Sequence, residues 1–101
     1  MFSYDIRRNT LTVRLMGELD QRMADTLRQE LDELIEDRRI RRLVFELKQL
    51  EFMDSSGIGL ILGRYRRMAR RGGSVAITGQ DARMDRIFEM SGLYQVVERL
   101  A

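Results

Sequence analysis

Apolar and polar residues alternate at the start of the chain. From Phe2 to Ile6 apolar residues occupy every second position, and the same period returns from Leu11 to Leu15 after a polar break at residues 7–10. A period of two is typical of a strand with one buried face. Two such segments joined by a short polar link predict a β-hairpin.

The period changes after Asp20. Up to Ile35, apolar residues recur at spacings of three and four, with acids and arginines between them. This pattern predicts an amphipathic helix over residues 21–37, with Asp20 placed to cap it. The apolar run at 43–47 then predicts a strand buried on both faces.

Strand and helix patterns continue to alternate in the second half. The expected elements are a second helix up to Arg71 ended by Gly72 and Gly73, a strand at 75–77, a third helix closed by Gly92, and a last strand at 96–97. Helices that alternate with strands after a hairpin predict an α/β fold, in which crossover helices connect parallel strands of a mixed sheet.

Length and composition indicate one domain over residues 1–101. The chain contains no cysteine and no histidine, which removes disulfides, the usual general base and the commonest zinc ligands. We therefore expect no metal, no cofactor and no catalysis.

The apolar runs fall short of the ~20 residues that a membrane span needs, and no signal peptide opens the chain, so we expect a cytoplasmic protein.

The basic residues do not predict a nucleic-acid interface. Arginine accounts for 17 of the 18 basic residues, but 16 acids are interspersed and the net charge is only +2. The densest basic cluster lies between Arg64 and Arg71. Nucleic-acid footprints usually carry a larger positive surplus and aromatic stacking residues. We expect neither direct nucleic-acid binding nor a membrane partner.

The stretch FMDSSGIGLILGRY, residues 52–65, carries the candidate chemistry. Without histidine its serines have no usual base, and the Gly-x-Ser-x-Gly elbow of serine hydrolases is missing. The glycines at 57, 59 and 63 miss the dinucleotide fingerprint by one residue, and the P-loop ending is absent. Asp54 or Ser55 is placed to cap the second helix.

A helical wheel of this helix predicts two faces. The expected core stripe is Ile58, Ile61, Leu62, Tyr65, Met68 and Ala69. On the opposite face the wheel places Leu60, Gly63 and Arg64, a pattern that suits a docking surface. A phosphate on Ser55, at the top of that surface, would add about −1.5 to −2 charges beside a helix N-terminus. Such a change would disturb a partner more than the fold.

Three motifs resemble the STAS-domain anti-sigma-factor antagonists, and most closely the sporulation members that control the first forespore sigma factor. They are residues 17–20 (GELD), residues 52–65, and residues 88–93 (FEMSGL). The resemblance implies a single STAS domain with a mixed four- to five-stranded sheet and about three helices on one face. It also implies a regulator that is not an enzyme.

The resemblance further implies partners and site residues. The unphosphorylated form would bind an anti-sigma factor that is also a GHKL-type serine kinase, and so release the sigma factor. Phosphorylation of Ser55 would end binding, and a PP2C-type phosphatase would reverse it. The positions that match the family's partner-binding residues are Asp20, Asp54, Ser56, Gly57, Leu60, Gly63 and Arg64.

The sequence departs from the family pattern at its C-terminus, and it leaves one alternative function open. The chain stops at Ala101, where sporulation members usually continue into a C-terminal helix, so we expect that helix to be missing. The alternative function is a STAS scaffold or nucleotide-sensing module whose serine is never modified. The two hypotheses differ in whether Ser55 controls partner binding.

Overall fold

A computed structural model describes residues 1–100 as a five-stranded sheet with three α-helices. The chain runs through β1 (Phe2–Arg7), β2 (Thr10–Leu19), α1 (Gln21–Ile35), β3 (Arg42–Met53), α2 (Ser55–Ala69), β4 (Ser74–Thr78), α3 (Ala82–Met90), a 3-10 turn (Leu93–Gln95) and β5 (Glu98–Arg99). The predicted α/β class is confirmed.

The strands follow the order β1-β2-β3-β4-β5 across the sheet. β1 pairs with β2 in antiparallel fashion, which confirms the hairpin, and the other neighbours are parallel. Each crossover steps to the next strand in the same direction. Because such connections are almost always right-handed, α1, α2 and α3 all pack on one face of the sheet.

The core lies between the sheet and that layer of helices. Val13, Phe45 and Ile77 are partners across three strands and are fully buried. Val44 and Ala76 point to the opposite face, where they are also buried but lie outside the main core cluster. This confirms that the apolar run at 43–47 is buried on both faces.

An aspartate starts each α-helix. The side chains of Asp20, Asp54 and Asp81 accept hydrogen bonds of 2.8–3.0 Å from backbone N–H groups two or three residues further on. These bonds satisfy donors that a helix N-terminus otherwise leaves without partners. The predicted cap at Asp20 is confirmed, and of the two candidates for the second helix Asp54 is the cap.

The second helix ends at Ala69, two residues before the predicted Arg71, and the predicted glycine turn follows it. Gly72 adopts a left-handed conformation with φ of 76°, and the Gly73 N–H donates to the Met68 carbonyl at 2.8 Å. A residue with a Cβ rarely adopts this backbone conformation, so glycine suits the turn between α2 and β4.

The prediction of a last strand at 96–97 is wrong. The 3-10 turn ends at Gln95, residues 96–97 follow it outside any strand, and the strand lies at Glu98–Arg99. Val97 is buried in the core while Val96 is exposed, and the turn's hydrogen bonds to the Leu93 carbonyl hold both residues. The apolar side chains of this segment are explained by burial in a turn and not by pairing in a strand.

No helix within residues 1–100 is long and apolar enough to cross a membrane.

Candidate functional site

The candidate site lies at the carboxyl ends of β2 and β3. Leu19 and Met53, the last residues of these strands, are paired in the sheet. Asp20 and Asp54 follow directly, and the Asp54 N–H lies 3.4 Å from the Leu19 carbonyl oxygen. The topology therefore brings the starts of α1 and α2 side by side. The carboxyl edge of parallel strands is also where open α/β sheets usually place their binding sites.

Ser55 is the first residue of α2 and its side chain is exposed. Within residues 1–100 its hydroxyl makes no hydrogen bond, whereas the neighbouring Ser56 hydroxyl donates to Oε1 of Gln21 at 3.0 Å. The two serines thus differ. Ser56 links α2 to α1, and Ser55 presents a free hydroxyl at a helix N-terminus, where the helix dipole favours an anion.

The predicted orientation of α2 is wrong. Leu60 and Arg64, expected on the outward face, are only 2% and 6% exposed. Gly57 is buried as well, so none of these three expected partner contacts lies on the surface. Conversely Ala69, expected in the core, is exposed. The buried stripe consists of Gly57, Leu60, Ile61, Arg64 and Met68.

An ion pair between helices explains the burial of Arg64. Its Nε lies 2.9 Å from Oδ1 of Asp32 on α1, although the N–H is not aligned for a hydrogen bond. Burial lowers the pKa of Arg64, and the Asp32 carboxylate opposes that shift. The long side chain lets an arginine occupy a position in the interface between α1 and α2, where its aliphatic part packs like an apolar residue.

A close approach explains the burial of Gly57. A Cβ at this position would lie 2.5 Å from Cγ of Met53 and 2.9 Å from Cδ2 of Leu19. Both neighbours are fully buried at the ends of their strands. The glycine therefore lets the first turn of α2 pack directly on β2 and β3, and it sets the position of Ser55 beside it.

The accessible side of α2 carries residues that the wheel assigned elsewhere. Gly59 is exposed with open space around it, while Ile58 and Leu62 are half-buried at the margin of the core. Positions 55, 58, 59 and 62 share one helix face because their spacings are three, four and seven. Gly63 is half-buried, and no atom of residues 1–100 lies within 4 Å of a Cβ placed there.

We call the resulting patch the Ser55 surface. It comprises Asp20, Gln21, Asp54, Ser55, Ser56, Ile58, Gly59 and Leu62. Sequence reasoning included both aspartates and both serines but missed Gln21, Ile58, Gly59 and Leu62. The spacing of residues 55, 58, 59 and 62 was a usable signal.

Residues 1–100 contain no group of three or more acidic side chains arranged to hold a metal ion. The Ser55 surface combines polar side chains and half-buried apolar side chains around the exposed hydroxyl of Ser55. Such a surface suits contact with another protein or modification.

Comparison with known proteins gives consistent matches. A sequence profile of the STAS domain matches residues 2–101. An anti-sigma F factor antagonist of Paenibacillus polymyxa is 43% identical over 90 residues, which cover 89% of this chain and 77% of that protein. The solved anti-sigma factor antagonist SpoIIAA in its unphosphorylated form superposes with a TM-score of 0.83 at 26% identity, covering 100% of this chain and 88% of that one. SpoIIAA of Bacillus in the phosphorylated form gives 0.80 at 29% identity, covering 100% and 92%.

Proposed function

This chain belongs to the STAS domain family, and from that membership we propose that it is an anti-sigma-factor antagonist switched by phosphorylation of Ser55. Its unphosphorylated form binds an anti-sigma factor that is also a GHKL-type serine kinase, and a sigma factor is thereby released. Phosphorylation of Ser55 ends this binding, and a PP2C-type phosphatase restores it.

The observation that carries the proposal is the free, exposed hydroxyl of Ser55 at the start of α2. A kinase must reach the hydroxyl, and Ser55 offers it without breaking any hydrogen bond within residues 1–100. Ser56 is a poorer substrate because its hydroxyl is engaged by Gln21 and its residue is half-buried. This difference favours the first serine of the pair as the kinase substrate.

A phosphate on Ser55 is expected to leave the fold intact. The helix N-terminus favours an added anion, and the exposed side chain has room for it. The phosphorylated and unphosphorylated forms of SpoIIAA both superpose well on this chain, which supports a fold that tolerates both states in that relative.

The same phosphate would oppose partner binding. The Ser55 surface already holds the carboxylates of Asp20 and Asp54, beside the half-buried apolar side chains of Ile58 and Leu62. A partner that covers this surface would have to desolvate about two further negative charges. Burial of an unpaired charge in an interface typically costs several kcal/mol.

The Ser55 surface replaces the docking face expected from the wheel. Asp20, Asp54 and Ser56 keep their proposed roles in partner binding, with Gly63 at the margin. Gly57, Leu60 and Arg64 are buried, so they act by positioning α2 rather than by touching the partner. Gly59 has no side chain, and among residues 1–100 no atom lies within 4 Å of a Cβ placed there, so a partner backbone can approach α2 closely.

The test combines modification and binding. The chain is incubated with ATP and the anti-sigma kinase of the same organism, and intact-protein mass spectrometry is expected to show one added phosphate. Ser55→Ala should abolish it, while the matched Ser56→Ala variant should keep it. A PP2C-type phosphatase with a divalent metal should then remove it.

Binding to the same kinase completes the test. Ser55→Ala should bind as the unmodified chain does, while Ser55→Asp should bind about a hundredfold more weakly, equivalent to about 2.7 kcal/mol. Circular dichroism must show that both variants fold. Equal binding by the two variants, or phosphate on Ser56 alone, would refute the switch and favour an unmodified STAS scaffold.

A further inference from the structure

A cleft of about 280 Å³ lies where the C-terminal ends of α1 and α2 meet. Ile35 and Glu36 line it from α1 and the residue that follows. Four arginines line the rest, namely Arg38, Arg67, Arg70 and Arg71. The lining thus has four arginines and one acidic residue, Glu36. This is a concentrated positive charge for a chain whose formal net charge is only +2.

The nearby carboxylates do not neutralise this cluster. Asp37 is engaged by Arg39, whose Nε and Nη2 lie 3.1 and 3.0 Å from its two oxygens. Asp32 is shared, because its Oδ1 lies 2.9 Å from Nε of Arg64 and 3.4 Å from Nε of Arg67. The cleft therefore keeps an excess of positive charge.

Arg71 is fixed in the cleft by backbone groups. Its Nη1 donates to the Ile35 carbonyl, and its Nη2 donates to the Ile40 carbonyl at 3.0 Å. Its Nε is buried without a hydrogen-bond partner among residues 1–100. Burial, together with repulsion from Arg38, Arg41 and Arg67, lowers the pKa of Arg71, and Asp37 only partly opposes this. An anion in the cleft would offset that repulsion.

Helix capping explains part of the cluster but not all of it. Arg71 satisfies the Ile35 carbonyl at the end of α1, and basic residues near a helix C-terminus interact favourably with the helix dipole. That interaction is weak for an exposed charge and is limited to the last turn of the helix. Capping gives no reason for Arg38, which follows α1, to line the same cleft as Arg67 on α2 and Arg70 directly after α2.

We propose that this cleft binds a small ligand carrying two or more linked phosphate groups. Planar guanidinium groups bind phosphate oxygens in pairs, and several of them around one cleft suit a multiply charged anion. Arg71 forms a rigid base held by backbone carbonyls, while Arg38, Arg67 and Arg70 close around the ligand. Inorganic pyrophosphate and the phosphate chain of a nucleotide share this chemistry.

The cleft is separate from the Ser55 surface. It lies at the opposite end of α2, and the 15 residues of that helix span about 22 Å at 1.5 Å per residue. Ligand binding in the cleft can therefore be measured without the anti-sigma kinase. Failure of one proposal leaves the other standing.

The experiment is calorimetric titration of the chain with sodium pyrophosphate at low ionic strength. We expect saturable one-to-one binding that Arg70→Ser weakens about tenfold, since one charge-assisted hydrogen bond contributes about 1.5 kcal/mol. Arg86→Ser, which removes an exposed arginine of α3 and the same charge, should change binding less than about twofold. Thermal melts of both variants verify that they fold.

Two further titrations complete the design. Sulfate should bind much more weakly than pyrophosphate, because it offers one charged centre. ATP that binds at least as tightly as pyrophosphate, and loses affinity in Arg70→Ser, supports a nucleotide as the source of the phosphates; weaker binding of ATP supports a free polyphosphate. No saturable binding of pyrophosphate, equal affinity for sulfate, or equal losses in Arg70→Ser and Arg86→Ser would overturn the proposal.

Discussion

Asp20 combines a structural and a proposed functional role in one carboxylate. Its Oδ1 accepts the Met23 N–H at 3.0 Å, which caps α1, and its side chain is half-buried within the Ser55 surface. Capping requires an oxygen acceptor, whereas attraction of a basic partner residue requires a negative charge. Asparagine supplies the first without the second, so the two roles can be separated at this position.

We predict that Asp20→Asn leaves the melting temperature nearly unchanged, because asparagine caps helices about as well as aspartate. Asp20→Ala should lose about 1 kcal/mol of unfolding free energy. If the charge contacts the anti-sigma kinase, both variants should bind the kinase more weakly and by similar factors. Calorimetric binding together with thermal melts checks both parts. Normal binding by a folded Asp20→Asn variant would restrict Asp20 to capping.

At the level of elements, hydrophobic periodicity predicted every helix and four of the five strands. The signal was clear because each element buries one face against the same core, from Val13 on β2 to Phe88 on α3. Periodicity gave a wrong prediction at 96–97, because apolar residues at a turn produced the same pattern as a short strand. A two-residue strand such as Glu98–Arg99 has no periodicity to detect.

The orientation of α2 could not be read from its own residues. The helix carries two overlapping apolar stripes, one through Leu60 and Ile61 and one through Ile58 and Leu62. Which stripe faces the sheet depends on two tertiary features, namely the ion pair of Arg64 with Asp32 and the close packing of Gly57 on Met53. Asp32 is 32 positions from Arg64 along the chain, so a single-helix wheel contains no information about it.

The ion pair between α1 and α2 gives a testable asymmetry. Asp32→Ala leaves the guanidinium of Arg64 buried without its partner, so it should cost about 2 kcal/mol of unfolding free energy, less than for a fully buried pair because Asp32 is partly exposed. Arg64→Met replaces the charge with an apolar side chain of similar length and should cost less. Chemical denaturation of both variants measures the difference.

A matched control for this pair lies on the surface of α1. Asp25 and Arg28 form an exposed ion pair at 2.9 Å, and Asp25→Ala should change the unfolding free energy by less than about 0.5 kcal/mol. If Asp32→Ala were as mild as Asp25→Ala, Arg64 would find sufficient solvation without Asp32. Burial of the ion pair would then not be the reason for the orientation of α2.

At the level of the whole molecule, topology gathers the candidate site at one edge of the sheet. Parallel strands β2, β3 and β4 end at the same edge, and each is followed by an aspartate that caps the next helix. The amino ends of α1, α2 and α3 therefore face the same side. The arginine cleft lies at the other end of α2, so this helix connects the Ser55 surface, which carries the Asp20 and Asp54 carboxylates, with a cleft lined mainly by arginines.

The network that holds the C-terminal segment onto α3 makes stability depend on pH at both extremes. The Tyr94 hydroxyl donates to Oδ1 of Asp85 at 2.6 Å, and Gln80 donates to both groups. This bond lowers the pKa of Asp85, while burial and the same bond raise the pKa of Tyr94. The network therefore requires an ionised carboxylate and a neutral phenol.

The signs of these shifts define the pH window. Folding lowers the pKa of the carboxyl, so this group stabilises the fold fully at pH values above its unfolded pKa of about 3.9. That stabilisation is lost as the pH falls through the lower pKa of the folded state. A phenol whose pKa is raised by folding contributes fully below about 10, and loses that contribution as pH rises further. The contribution of the pair is thus complete between about pH 4 and pH 10 and declines on either side.

We predict that Tyr94→Phe lowers the melting temperature most at neutral pH, and that its difference from the unchanged chain shrinks below about pH 4 and above about pH 10. Tyr65→Phe is the matched control, because the Tyr65 hydroxyl on α2 makes no hydrogen bond within residues 1–100. At neutral pH it should lower the melting temperature less than Tyr94→Phe does. Thermal melts at about pH 3, 7 and 10.5 test this prediction. If the loss of melting temperature in Tyr94→Phe were the same at all three pH values, the phenol would contribute by packing against Phe88 and not through Asp85.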